Sequence, residues 1–157
     1  MIYSRVLILL FALFSINAAA DKQQHADILA PIYTLFDGMR ESDGDKVRAA
    51  FSSEAIMYRA HSALREGSSP EAFASAVESK GERVWDEKIW DIQVKLDDKL
   101  ASVWTEFAFY LDGELSHCGV NSFQLYHFDD GWKIIYLVDT FQKKGCEQRQ
   151  AGTESLN

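Results

Sequence analysis

The chain has 157 residues, 47% hydrophobic and 13% aromatic, with 16 Lys and Arg against 24 Asp and Glu and a formal net charge of −8. That length suits one domain with a real core. The aromatic content excludes a disordered chain, and two cysteines exclude a disulfide-dense miniprotein. The acidic balance leaves no basic stripe for phosphates, so no nucleic-acid partner is expected.

The chain starts with one positive charge, Arg5, followed by the apolar run VLILLFALFSI at 6–16 and the small residues Asn17, Ala18, Ala19 and Ala20. Charged start, short apolar middle and an A-x-A exit are the layout of a secretory signal peptide. A spanning helix needs about 20 apolar residues, which this run does not supply. Residues 1–20 are therefore predicted to be cleaved near Ala20. The remainder would be exported to the periplasm or outside the cell, with no membrane anchor after cleavage. Arg5 is the only charge lost, so the exported part is more acidic still.

Ile28, Ile32, Leu35, Phe36 and Met39 recur at helical spacing, with Asp27 as a cap and Pro31 in the first turn. Asp43-Gly44-Asp45 ends that helix and opens a short second one with Val47, Ala50 and Phe51 on one side. Residues 55–60 read as a short strand. Ser69-Pro70-Glu71 starts a third helix, with Phe73, Ala74 and Val77 buried and Gly81 ending it.

From Arg83 the period becomes two. Ile89, Ile92, Val94 and Leu96 mark a strand with an irregularity between the two isoleucines. Long strands follow at 100–111, 115–128 and 132–141, joined by Asp112-Gly113 and Asp130-Gly131 hairpin turns. The segment 147–157 is a polar tail expected to be flexible. Helices first and strands after give one α+β domain, expected over 21–146, with about three N-terminal helices packed on a strongly bent antiparallel sheet.

Two-residue turns would place Trp104 opposite Asn121, Ala108 opposite His117 and Phe123 opposite Val138. One face then holds Trp104, Glu106, His117, Asn121, Phe123, Leu125, Trp132, Ile134 and Tyr136. The other holds Val103, Phe107, Phe109, Val120, Tyr126, Ile135 and Leu137. A β-bulge would flip part of this map. Both faces are apolar while only one layer of helices is available, so the outer face is expected to meet a second copy of the chain. Cys118 falls opposite Lys143 in this register. An oxidising compartment allows Cys118 and Cys146 to bridge if the chain curls back at Gly145; otherwise one thiol is buried and the other sits in the tail.

The run G-x-x-S-H-C-G-V-N-S-F-x-L from Gly113, then Gly131-Trp132-Lys133-Ile134, Asp139-Thr140 and Cys146, resembles the nuclear transport factor 2-like superfamily. Within it the chain is similar to the exported group known as "Putative lumazine-binding". The resemblance implies a cone-shaped α+β barrel with a pocket between the helices and the concave sheet. It implies little chemistry.

Tyr58, Trp85, Trp104, Phe123, Trp132 and Tyr136 are candidate walls of such a pocket, with His117 and Asn121 as polar contacts; the same aromatics could equally be plain core. A small aromatic or polyketide-like molecule would suit them. The expected function is therefore an exported, non-catalytic small-molecule-binding domain. The alternative is an isomerase, dehydratase or cyclase, with Glu106 orienting His117 as general base. His25, His61, His117 and His127 are scattered, so neither a metal nor another cofactor is expected.

Overall fold

The computed structural model describes the backbone of residues 3–149 and the side chains of 21–149. The signal-peptide expectation for 1–20 and the tail from residue 150 onward lie outside those described side chains. Among the described residues no helix is long and apolar enough to cross a membrane.

Helix α1 (Tyr3–Glu41) carries the expected stripe inward, with Ile28 and Ile32 fully buried and Leu35, Phe36 and Met39 nearly so. Asp27 does not cap it: the helix runs straight through Asp27 and Pro31, and Asp27 accepts a bond from Gln23 Nε2 at 2.8 Å. Pro31 removes one backbone bond from the helix, and burial of the apolar stripe on both sides of it outweighs that loss. Helix α2 (Gly44–Ala50) is capped by Asp43, whose side chain accepts from the Lys46 N–H at 3.0 Å. Helix α3 (Pro70–Ser79) is capped by Ser69, with Ala74 and Val77 buried as the pattern requires.

Strand β1 (Phe51–Ala60) starts earlier than its apolar signal, and β2 (Leu64–Glu66) is a short exposed edge with no sequence signal at all. Strands β3 (Trp85–Asp97), β4 (Leu100–Leu111), β5 (Glu114–Phe128) and β6 (Gly131–Thr140) complete the sheet in the order β2-β1-β6-β5-β4-β3. The sheet is strongly curved and unclosed rather than a complete barrel, with β2 and β3 as its edges. It is also mixed rather than wholly antiparallel, since β1 lies parallel to β6. The chain reaches β1 through α2, on the helical side of the sheet, and so enters beside β6 in the same direction.

Two bulges decide the faces. Leu111 pairs with Glu114 as expected, but the register shifts between Phe109 and Tyr110, so His117 faces Phe109 and Ala108 faces Cys118. The second hairpin loops through Asp129 and Asp130, one residue earlier than expected, pairing Phe128 with Gly131. A further shift between Gln124 and Leu125 leaves Phe123 opposite Leu137 instead of Val138. Trp104 lies opposite Ser122, not Asn121. An extra residue reverses the alternation of everything beyond it. The concave face therefore takes His117, Asn121, Phe123 and Leu125 from β5, together with Val103, Phe107 and Phe109 from β4. Trp104 and Glu106 turn to the outer side. The irregularity expected in β3 is present, with a shift between Trp90 and Gln93 and Asp91 at φ 49°.

Cys118 and Cys146 form a disulfide, with Cα atoms 5.6 Å apart. Cys118 exchanges both backbone bonds with Gln142, one residue before the expected Lys143, and the chain curls at Gly145 with φ 79°. Residues 146–149 then make a helical turn that takes in the first three residues of the polar segment 147–157. The bridge and the Arg149–Glu106 ion pair at 2.6 Å hold it on the outer face, beside Ala108.

Candidate functional site

A cavity of about 370 Å³ opens between the helices and the concave face. Helix α1 supplies Leu35, Phe36 and Met39 to one wall, and α3 supplies Phe73. Trp85, Phe109 and Phe123 form the sheet wall: Trp85 stacks with Phe73 at 6.3 Å, and Phe123 meets Phe36 edge-on at 6.4 Å. The start of β3 is pinned to the β4–β5 turn, because the Val84 N–H donates to Asp112 Oδ1 at 2.8 Å and the Asp112 N–H donates back to the Val84 carbonyl at 2.9 Å. That clamp holds Trp85 in the wall and Arg83 at the rim.

Polar groups gather at one side of these apolar walls. Arg59 on β1 and Asp139 on β6 face each other across the parallel pair, and Arg59 Nε donates to both carboxylate oxygens at 2.9 and 3.0 Å. This pairing holds the Arg59 guanidinium above its ordinary pKa. Next to it, Asn121 Nδ2 donates to Glu87 Oε1 at 2.6 Å. Burial pushes the Glu87 carboxyl up to about 7; the Asn121 bond opposes this, as does Arg59, whereas Asp139 and Asp86 reinforce it. Glu87 is surrounded by protein yet keeps partial exposure, and that exposure is to the cavity itself.

His117 lies between Phe109 and Phe141, with ring centroids at 4.9 and 4.4 Å. Its Nδ1 is 3.1 Å from Ser116 Oγ. Burial first, then the charges of Arg59 and Lys143, push it down to about 4 against the pull of Asp139, so the imidazole is neutral at pH 7. A neutral ring between two aromatic faces is a wall with one polar edge.

The predicted site residues divide between this cavity and other places. Trp85, His117, Asn121 and Phe123 line the cavity. Tyr58 lies in an adjoining groove and contacts Tyr136 at 5.9 Å, with Tyr136 on the outer side. Trp104 is 48% exposed on the outer face. Trp132 sits in a separate depression against Pro31 and next to His127. Glu106 is across the sheet from His117, paired with Arg149, so the expected Glu106–His117 pair does not form. The bulge at Ser116 is the cause.

Sequence reasoning passed over Arg59, Glu87 and Asp139. Glu87 is two residues from Trp85, a candidate pocket wall, and so shares its face, whereas Asp139 shares a face with Leu137, which the expected register puts on the outer side. Only the apolar alternation was followed. Among the described residues no group of three His, Cys, Asp or Glu could hold a metal.

A bent sheet, helices over its concave side and one cavity with a polar corner define a small α+β domain of the nuclear transport factor 2-like superfamily. The chain belongs to the family described as "Putative lumazine-binding", which matches residues 23–138. Similar solved structures include a nuclear transport factor 2-like protein of unknown function from Shewanella baltica, at 15% identity and TM-score 0.61, covering 78% of this chain and 96% of that one. Another, from Cytophaga hutchinsonii, has 16% identity and TM-score 0.64, covering 76% and 98%. A third, described as a "Putative Scytalone Dehydratase" from Novosphingobium aromaticivorans, has 10% identity and TM-score 0.65, covering 80% and 88%. At these identities the likeness is one of fold. No curated protein matches the chain.

Proposed function

We propose that this chain is an exported protein that binds one small, flat molecule in the cavity between α1, α3 and the sheet. The observation that carries the reading is the cavity's composition: about 370 Å³ with aromatic and aliphatic walls, and Glu87, Asn121, Arg59 and Asp139 collected on one side. Small-molecule sites combine apolar area for affinity with a few convergent polar groups for orientation. Export is supported by the charged start, apolar run and A-x-A exit at 1–20. Assembly as a dimer through the outer sheet face is supported by Trp104 and Leu100, 48% and 47% exposed there.

Native mass spectrometry of protein recovered from the exporting cell tests all three points. A mass starting near Asp21, a dimer and a co-purified small molecule are expected. For binding, titration with flat heteroaromatics, lumazine among them, should quench Trp85. If no compound of that shape binds to folded protein and none co-purifies, the binding reading fails.

One observation favours the second reading, an isomerase, dehydratase or cyclase in the same cavity. Glu87 and Asp139 face one space in unlike environments, one carboxyl pushed up to about 7 and the other held by Arg59. A carboxyl raised toward neutrality suits proton transfer near pH 7. The proton-transfer group would be Glu87 and not Glu106. Turnover of an enolisable substrate that disappears in Glu87→Gln, and survives in Glu106→Gln, would establish it.

A further inference from the structure

The charges around the cavity are matched in pairs, with one exception. Asp139 has Arg59, and Arg83 has Asp112 at 3.1 Å. Behind β3, Arg40 from α1 and Lys88 hold Asp86 at 3.2 Å each. Helices α1 and α3 present only apolar side chains to the cavity, and the β5 histidine, His117, is neutral near pH 7. Glu87 therefore faces an Arg59–Asp139 pair whose charges offset one another, and its single hydrogen-bond partner among the described residues is the neutral amide of Asn121. A buried carboxylate without a cation is costly, and either a proton or a positive ligand relieves that cost.

The free atoms of this pair point to the kind of partner it lacks. Asn121 is 3% exposed, and its Nδ2 is committed to Glu87 Oε1. Neither Asn121 Oδ1 nor Glu87 Oε2 bonds to another described residue, yet no buried side-chain nitrogen or oxygen among the described residues lacks a partner. Both oxygens must therefore open onto space, and the space both residues line is the cavity. Two adjacent acceptors, one of them anionic when ionised, complement a pair of N–H donors that share a positive charge.

We infer that the ligand carries a flat amidine-type nitrogen edge, such as a protonated amidine or aminoazine. Its N–H groups meet Glu87 Oε2 and Asn121 Oδ1 while its ring packs among Phe36, Trp85, Phe109 and Phe123. This rests on the reading of the cavity as a small-molecule site and adds the class of ligand. An anionic ligand is disfavoured because the Arg59 and Arg83 guanidinium groups already have carboxylates. A cation in this position also gains from the surrounding aromatic faces. Because a proton competes with the ligand for Glu87, binding of a permanently charged amidinium strengthens as pH rises through about 7.

The test uses three flat probes of similar size on the folded chain, followed by calorimetry: benzamidinium with paired N–H donors, acetophenone with none, and benzoate with the opposite charge. At pH 8 benzamidinium should bind at least tenfold more tightly than either. That advantage should fall about tenfold at pH 6, as Glu87 becomes protonated. Glu87→Gln should abolish the advantage of benzamidinium over acetophenone. The pH series on the unaltered chain decides the matter even if that variant folds poorly. Acetophenone or benzoate binding as tightly as benzamidinium at pH 8 overturns the amidine-type ligand and leaves the cavity a small-molecule site. If none of the three binds, the amidine-type ligand is overturned, and the reading of the cavity falls with it when no flat heteroaromatic binds or co-purifies either.

Discussion

Glu87 and His117 face one cavity and are pushed in opposite directions by burial, so they make opposing contributions to stability as pH changes. An unfolded Glu87 titrates near 4.5 and the folded one at about 7. Between those values the folded chain binds more protons at this site, so stability falls as pH rises through the window. At about 1.4 kcal/mol per pH unit the full effect would be about 3 kcal/mol. Water in the cavity screens the group, and we expect about 1–3 kcal/mol. His117 has the reverse sign. It titrates near 6.5 when unfolded and about 4 when folded, so stability rises with pH between those values. Over the overlap the two slopes offset each other, and the chain should look insensitive to pH for the wrong reason.

Substitution separates them. Urea denaturation of Glu87→Gln at pH 4.5 and 7.5, each compared with the unaltered chain at the same pH, cancels every shared titration. The variant should gain about 1–3 kcal/mol relative to the parent on going to the higher pH. His117→Gln should do the opposite, losing ground relative to the parent between pH 4 and 6.5. Differences that stay constant within about 0.5 kcal/mol across the range would show that neither side chain is desolvated as the cavity geometry requires.

Three further outcomes are expected. Reduction of the Cys118–Cys146 bridge, or Cys146→Ser, opens a loop of sequence separation 28, and loop entropy sets the loss at about 3–4 kcal/mol, read as a lower urea midpoint than under non-reducing conditions. Gly119→Ala would drive a methyl into the Thr140 carbonyl and to within 2.9 Å of Phe107; a loss of about 1–3 kcal/mol is expected, checked by thermal melting. Phe123→Ala empties the fully buried ring position beside Phe36, which should cost about 3–5 kcal/mol in urea unfolding and admit bulkier ligands to the cavity.

Much of the fold was legible because local chemistry dictates it. Asp43 and Ser69 cap their helices, the stripe from Ile28 to Met39 is buried, and Asp112-Gly113 turns the hairpin where expected. The break in β3 was visible as two isoleucines at the wrong spacing. The mistakes come from the places where one residue changes the count. Ser116 at the β4–β5 shift and the extra residue of β6 at the Gln124–Leu125 shift leave no mark in composition; the first carries Trp104 and Glu106 to the outer side, the second Tyr136. Asp27 and Pro31 have the look of a helix start, but the burial of the helix around them overrides it.

Length, an acidic, aromatic-rich composition and a net charge of −8 exclude a disordered chain and a nucleic-acid binder, and the periodicity, caps and turns of the sequence determine an α+β fold and the residues able to form its core. Periodicity and capping act over a few residues, so they can be read along the chain. Where those acids lie relative to one another was decided by tertiary structure alone. Arg59 meets Asp139 across 80 positions of sequence and Asn121 meets Glu87 across 34. Strand pairing and bulges set those meetings, and the same packing that leaves Glu87 without a cation also gives it an open side onto the cavity.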